Sequence, residues 1–290
     1  MSYVAEIMGQ ILYFIYKLAF NNYGLSIIIF TIFIRILLLP LAIKQYRSTA
    51  KLQELQPQIQ ELQRKYKNDK EKLNQEMLKL YQENKANPTG GCLPTLIQMP
   101  ILVSLYWVIQ SPLRYMLNKS TEVINKAFDT IPKGAAEIIT NMKDISIINY
   151  YNNHPQKIGQ LQGLIDKSEL IDMNFLGIFN LGLKPVFDFN KLFGSLSSEY
   201  LPLIIIPILC WFTTFLSIRI STIRTAAQNT DNTAMQTQKS MSLIMPFVTM
   251  FFAFNVPAGL GLYWIVSNIF QILQQIFMNK FIIKKEAAKE

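Results

Sequence analysis

The stretch Leu25–Ala42, LSIIIFTIFIRILLLPLA, is an apolar run that carries a single charge, Arg35. A helix needs about 20 mainly apolar residues to cross the ~30 Å hydrocarbon core of a bilayer. The run therefore predicts a membrane-spanning helix, and Pro40 and Lys44 indicate that it ends near residue 43. Arg35 would then lie about two turns inside, where insertion scales give arginine a cost of roughly 2.5–3.5 kcal/mol.

Three environments could accommodate Arg35. Its side chain could extend to the headgroups, pair with an acid on another helix, or line a water-filled cavity. None of the predicted spans described below contains Asp or Glu, so no acid partner is available within the membrane. Thr31 lies one turn earlier and shares a helix face with Arg35. These observations favour a cavity lined by both side chains.

The remaining composition predicts a polytopic membrane protein of the all-α class. Half of the residues are hydrophobic and only 16% are charged. Together with the first run, taken as 23–43, four further apolar segments predict five transmembrane helices; they are 93–113, 201–218, 240–254 and 258–277. The segment 240–254 gives only about 22 Å of helix, which implies a locally thin bilayer.

Two polar or amphipathic segments flank the first span. Residues 1–22 carry apolar side chains at helical spacing, with Glu6, Gln10 and Lys17 set apart, which predicts an interfacial helix outside the membrane. Residues 44–86 show heptad-like spacing on two arms around Asn68-Asp69, which predicts a helical hairpin. The apolar positions of the two arms are Leu52, Leu55, Ile59, Leu62, Tyr66, Leu73, Met77 and Leu80.

The charge distribution predicts the orientation of the chain. The hairpin, the loop 219–239 and the basic tail 278–290 hold seventeen of the 28 basic residues against nine acids, which places them in the cytoplasm. In the segment 114–200, nine basic and nine acidic residues cancel, which places it outside. Within it, Asn174–Leu183 is apolar but too short to span, and we expect it at the outer interface. The N-terminus would lie outside the cell membrane and the C-terminus inside.

Polar side chains on two other spans indicate a groove inside the bundle. Trp264, Asn268, Gln271 and Gln275 recur at spacings of 4, 3 and 4 along the last span. Gln98 lies near the cytoplasmic end of the second span. Hydrogen bonds between helices explain one or two such residues, whereas four in line, with Arg35, favour a water-accessible groove.

No pattern of catalytic or metal-binding residues is visible. Cys92 and Cys210 stand apart in or beside apolar runs, and His154, the one histidine, lies in a polar loop. We therefore expect neither an enzyme nor a bound cofactor or metal. The residues taken alone leave open a solute or ion transporter with Arg35 as an anion site, and a passive membrane scaffold.

Four blocks of the sequence resemble the YidC/Oxa1/Alb3 family of membrane protein insertases in its short bacterial form. The blocks, in chain order, are NYGLSIIIFTIFIRILLLPLAIKQ, LQELQPQIQELQRKY, NPTGGCLPTLIQMPILVSLYW and MPFVTMFFAFNVPAGLGLYWIVSNIFQILQQ. They cover roughly residues 20–112 and 174–280. The resemblance implies a five-helix bundle with a hydrophilic groove that is open to the cytoplasm and the lipid and closed outside.

The resemblance also implies roles for particular residues and partners. Arg35 matches the family's groove arginine, and Thr31, Tyr263 and Trp264 match residues that substrates pass. Ser217-Ile218 stands where the family often has two glutamines, so a groove ligand at Ser217 departs from the pattern. The hairpin matches the loop that recruits nascent membrane proteins and the ribosome or the signal-recognition and Sec machinery. The basic charge would serve orientation and docking to lipid headgroups or ribosomal RNA, and no DNA partner is expected.

Overall fold

The computed structural model describes residues 2–87, 93–135, 137–139, 141–161, 163–186, 192–194, 197–222 and 233–280. The prediction of a helical fold is confirmed, with one small antiparallel pair of strands as an addition. The helices are α1 (Ser2–Leu18), α2 (Tyr23–Leu37), α3 (Leu39–Glu54), α4 (Gln56–Lys65), α5 (Lys70–Glu83), α6 (Leu93–Gln110), α7 (Pro112–Tyr115), α8 (Thr121–Asp129), α9 (Lys143–Asn153), α10 (Ser197–Tyr200), α11 (Ile205–Thr222), α12 (Thr233–Asn255) and α13 (Ala258–Met278). The strands are β1 (Asn174–Phe175) and β2 (Phe179–Asn180).

The first predicted span is not one straight helix. Helix α2 ends at Leu37, α3 begins at Leu39, and the two are bent by 57°. Pro40 explains the break because it has no N–H to donate to the carbonyl of Ile36, and its ring crowds the preceding turn. The chain therefore leaves the direction of α2 within one turn after Arg35, and α3 continues into the predicted cytoplasmic segment.

Helix α1 is shorter than the predicted segment 1–22. It ends at Leu18, and Phe20 and Asn21 follow with φ angles of 55° and 58°. Two successive left-handed residues cannot continue a right-handed helix. They form the corner after which the Asn22 side chain accepts a hydrogen bond of 2.9 Å from the amide of Leu25 and starts α2.

The helices pack into a bundle with a buried core and an apolar outer surface. Helix α13 packs against α2 and α11, α11 also packs against α12, and α1 lies against α2 and α6. Large side chains fill the core, among them Tyr23, Phe30, Leu105 and Ile109. The outward faces remain apolar; their exposed residues include Ile32, Phe33, Phe212, Phe251 and Leu273. Apolar surface on this scale is typical of helices that contact lipid.

Two helical segments are long and apolar enough to cross a membrane by themselves, Pro202–Ser221 and Ala258–Met278. The bent pair α2–α3 would make a third, and the apolar part of α12, Ser242–Asn255, is shorter. These segments correspond to the predicted spans 201–218, 258–277, 23–43 and 240–254. The described residues thus support two or three spans by length and composition, and the number of five stays a prediction.

The two arms of the segment 44–86 meet at the apolar positions. Leu55, Ile59 and Ala86 are buried together, and Leu52, Met77, Leu80 and Tyr81 pack against them. The side chain of Asp69 accepts a hydrogen bond of 3.0 Å from the amide of Lys72, so the second arm, α5, begins at the predicted break.

The outer apolar segment 174–183 folds back on itself as a β-hairpin. Phe175 pairs with Phe179 and Asn174 with Asn180. The chain beyond β2 contacts the first turn of α13: the amides of Ala258 and Gly259 donate to the carbonyls of Leu183 and Leu181, each at 2.8 Å. These carbonyls satisfy amides at a helix start that Pro257 cannot cap with a side chain.

Candidate functional site

Arg35 lines a polar cavity between α2, α3, α11 and α13. The cavity has a volume of about 200 Å³, which leaves room for several water molecules. Five of its lining residues are glutamines. The cavity is lined by Arg35, Ala42, Gln45, Tyr46, Thr49, Ala50, Gln53, Ile220, Ser221, Gln271, Gln274, Gln275, Met278 and Asn279. The structure therefore brings three of the predicted groove residues, Arg35, Gln271 and Gln275, to one place.

The Arg35 guanidinium is held by a hydroxyl. Its Nε donates to Ser267 Oγ at 2.9 Å, and Nη2 donates to the same oxygen. No carboxylate in the described part of the chain lies within ion-pair distance of Arg35. A hydroxyl orients the guanidinium but carries no charge, so it does not neutralise the arginine. The site can consequently attract an anionic group that enters the cavity.

Two contacts fix the polar lining at the end of α13. Ser221 Oγ on α11 donates to Gln275 Oε1 at 2.8 Å. The Tyr46 hydroxyl on α3 contacts Asn279 Oδ1, next to the end of α13. Helix α3 thus lies across one side of the cavity because of the bend that precedes it.

Three predicted groove residues lie elsewhere. Asn268 Nδ2 donates to Thr213 Oγ1 at 3.2 Å and to Thr214 Oγ1 at 2.9 Å, which ties α13 to α11. Thr31 is fully buried, and its hydroxyl donates to the Ile27 carbonyl at 2.6 Å. Ser217 is buried too. None of the three is among the residues that line the cavity.

Gln98, Tyr263 and Trp264 form a second group. Gln98 Nε2 donates to the Tyr263 hydroxyl, which links α6 to α13. Tyr263 is only 1% exposed, and Trp264 is partly buried against the core. A role for these three side chains in contacting substrates stays a prediction.

The sequence analysis missed Ser267, Ser221 and Tyr46. Ser267 could have been found by periodicity, because it lies one turn before Gln271 on the same helix. Ser221 and Tyr46 could not, since their contacts depend on how α11 and α3 pack against α13. The predicted stripe on the last span contains both kinds of residue: Asn268 joins helices, and Gln271 and Gln275 line the cavity.

The other candidate residues show ordinary structural contacts. His154 Nε2 lies 3.2 Å from Glu137 Oε1, and Cys210 is buried with its Sγ 3.4 Å from the Gly261 carbonyl. Cys92 lies outside the described residues. Within the described ranges, no group of three His, Cys, Asp or Glu side chains could hold a metal ion.

An apolar helical bundle with an arginine in a polar cavity defines a helical membrane protein. The family described as 60Kd inner membrane protein matches residues 14–286, so the chain belongs to this family, and the resemblance found in the sequence is confirmed. Membrane protein insertase YidC of Caldanaerobacter subterraneus subsp. tengcongensis is 34% identical over 97% of this chain and 96% of its own. Membrane protein insertase MisCA of Bacillus subtilis is 32% identical over 98% of this chain and 80% of its own.

One solved structure is also similar, described as an active YidC insertase with the first transmembrane domain resolved. The alignment covers 94% of this chain and 45% of the chain in that structure, with 23% sequence identity and a TM-score of 0.46.

Proposed function

We propose that this protein inserts other membrane proteins into the cell membrane, with the cavity around Arg35 as the transient site for a polar segment of the client. Membership of the family and the names of the relatives, which describe insertases, support this function. The observation that carries it for this chain is the guanidinium whose partner is a serine hydroxyl.

The energetic problem of insertion is the transfer of a polar outer segment across hydrocarbon. Burying a peptide group without a hydrogen bond costs about 1–3 kcal/mol, and an isolated carboxylate costs far more. The glutamines of the cavity offer donors and acceptors, and Arg35 offers a positive charge in surroundings of low dielectric constant. A client with acidic residues in its outer segment would therefore gain most.

The driving force would come from the client and from the membrane. The apolar helix of the client leaves along α2 and α13 into lipid, with about 25 cal/mol gained per Å² of apolar surface removed from water. An inside-negative membrane potential favours outward movement of acidic residues by about 2.3 kcal/mol per charge per 100 mV. No step requires a nucleotide or a covalent intermediate.

The proposed orientation has five spans, the N-terminus and residues 114–200 outside, and the C-terminus in the cytoplasm. The segment 44–86, with ten basic and six acidic residues over 44–85, would dock nascent chains and, with the basic tail, the ribosome or the signal-recognition and Sec machinery. Membrane lipids would contact the apolar outer faces of the bundle.

Insertion of a single-span client into proteoliposomes tests the proposal. We compare Arg35→Ala and Arg35→Lys with Arg219→Ala, which removes an exposed arginine stacked on Phe215 outside the cavity. Arg35→Lys should retain much of the activity, and Arg35→Ala should lose it for a client with acids in its outer segment. Full activity of Arg35→Ala on that client would contradict the proposal.

The transporter alternative is tested with the same vesicles. A transporter would catalyse uptake of small anions that depends on Arg35 and would leave insertion of the client unaffected by Arg35→Ala. An insertase shows the reverse pattern, so the two measurements together separate the two classes.

A further inference from the structure

The tip of the outer β-hairpin exposes large apolar side chains. Leu176 is 70% exposed and Ile178 is 53% exposed. The segment from residue 173 to residue 183, MNFLGIFNLGL, contains no charged residue. An exposed apolar patch without charges indicates a surface that is covered by another apolar phase.

The backbone at the tip places Leu176 in the left-handed region, which is unfavourable for a leucine. Leu176 has a φ angle of 54°, and Gly177 follows with 72°. Glycine or asparagine adopts this left-handed conformation readily, whereas the Cβ of leucine makes it unfavourable. Strain of this kind persists where the surrounding structure imposes it, and it concentrates at functional positions. The chain therefore holds an apolar side chain at a position where a polar asparagine would fit better.

The position of the hairpin is fixed by two contacts with predicted spans. The Phe175 ring packs on Gly24 in the first turn of α2 so closely that a Cβ on Gly24 would overlap it. At its other end, the carbonyls of Leu181 and Leu183 accept hydrogen bonds from the start of α13. The hairpin thus stands where both α2 and α13 begin.

The neighbouring surface is apolar as well. Phe20, at the corner immediately before α2, is 92% exposed. Leu25 and Ile29 continue the exposed apolar face along α2. If α2 enters the bilayer from outside, as the proposed topology has it, this face contacts lipid, and the tip lies beside its outer end.

We propose that Leu176 and Ile178, together with Phe20, insert into the outer leaflet and anchor the hairpin to lipid acyl chains beside α2. The inference rests on the proposed topology and goes beyond the proposed insertase function. Lipid is the occupant that we assign, because the hairpin packs through Phe175 on Gly24 at the start of α2, and Leu25, the next residue of that helix, has an exposed apolar side chain.

Fluorescence quenching by lipids tests this assignment. The full chain with Cys92→Ser receives a single reporter cysteine, while the buried Cys210 is retained. The reporters are Ile178→Cys at the tip, Ile29→Cys on α2 and Gln156→Cys, a polar exposed position of the outer segment. Each is labelled with an environment-sensitive fluorophore and reconstituted with lipids that carry a nitroxide high on the acyl chain.

Quenching of the Ile178→Cys probe at a level comparable with Ile29→Cys, and well above Gln156→Cys, supports lipid insertion. A tip probe as weakly quenched as Gln156→Cys, with Ile29→Cys quenched, overturns the inference but leaves the topology intact. An unquenched Ile29→Cys probe shows that this face of α2 does not contact lipid, and it removes the basis of the inference. A blue-shifted tip probe that lipids do not quench, or a disulfide between the tips of two copies of unlabelled Ile178→Cys, assigns the surface to protein and also overturns the inference.

A second variant tests the role of the strained leucine. Leu176→Asn suits the left-handed backbone, so the turn is retained while the apolar side chain is lost. Placed in the Ile178→Cys background, it should reduce quenching of the probe and shift its emission to the red. Unchanged quenching would overturn the assignment of the anchor to Leu176.

Discussion

Replacing Ser267 by alanine removes the oxygen that accepts hydrogen bonds from two nitrogen atoms of Arg35. A hydrogen bond to a charged group contributes about 1.5–3 kcal/mol net. The two bonds share one oxygen, and water in the cavity can replace part of what is lost. We therefore expect Ser267→Ala to weaken the orientation of the guanidinium by about 1–2 kcal/mol, which corresponds to a factor of about 5–30.

The assay compares two clients that differ only in the outer segment. One carries two acidic residues there, and the other carries the corresponding amides. The ratio of their insertion rates measures how much a client carboxylate gains from Arg35. Ser267→Ala should lower this ratio by the expected factor, and Ser267→Thr, which keeps a hydroxyl, should restore most of it.

A positioning role differs from a structural one in this ratio. If Ser267→Ala slows both clients equally, the residue supports the bundle and does not orient Arg35, and the reasoning is refuted. Ser26→Ala is the matched control, because the Ser26 hydroxyl donates to the Asn22 carbonyl of its own helix, outside the cavity. Thermal unfolding in detergent shows whether each variant remains folded.

Three further predictions concern other contacts. Asn268→Leu should lower stability by about 1 kcal/mol, because interhelical hydrogen bonds in membranes average about 0.6 kcal/mol each, and it should leave insertion per folded molecule unchanged. Gln271→Leu should leave stability unchanged and lower insertion. If both variants behave alike in unfolding and insertion assays, the distinction between a helix contact and a cavity residue is wrong. Burial raises the pKa of Asp144 to about 6. Its carboxylate accepts a hydrogen bond of 3.1 Å from the Arg114 amide. The folded state then binds more protons than the unfolded state between about pH 4 and pH 6, so stability should fall by about 3 kcal/mol as pH rises through this range. Thermal unfolding at several pH values should show this dependence in the parent protein and not in Asp144→Asn. A pH dependence that persists in the variant would assign it to another group. Gly24→Ala should cost about 1–3 kcal/mol by overpacking against Phe175, and Phe175→Leu in the same chain should recover most of it; additive losses in the double-mutant cycle would show that the two residues are not coupled.

Local information in the sequence indicates where some residues of the candidate site lie. Arg35 is a charge inside an apolar run, and the lack of Asp and Glu in the spans excluded an ion pair there before any packing was known. The structure accordingly places Arg35 at a polar cavity with a serine as its partner. Helix periodicity likewise placed Gln271 and Gln275 on one face, and both line that cavity.

Other features depend on tertiary contacts that the sequence does not show. Asn268 and Gln271 lie on the same stripe, but Asn268 meets the hydroxyls of α11, and nothing in its own segment indicates where those lie. Pro40 indicated a helix end, yet the direction of α3 depends on its packing across the cavity. The turn of the segment 174–183 lies at Leu176-Gly177, between two aromatic residues. Because the segment is almost wholly apolar, its sequence did not indicate a β-hairpin.

The elbow at Leu38 also has a mechanical meaning. Helix α3 is an arm of 16 residues, about 24 Å long, and its near end is joined to the turn that carries Arg35. A force applied to the far end of α3, where α4 and α5 follow, would act on the break at Leu38 and tend to change the angle between α2 and α3. If nascent chains bind this arm as proposed, their binding and the orientation of the Arg35 guanidinium would be coupled, and each would then bias the other by the same free energy.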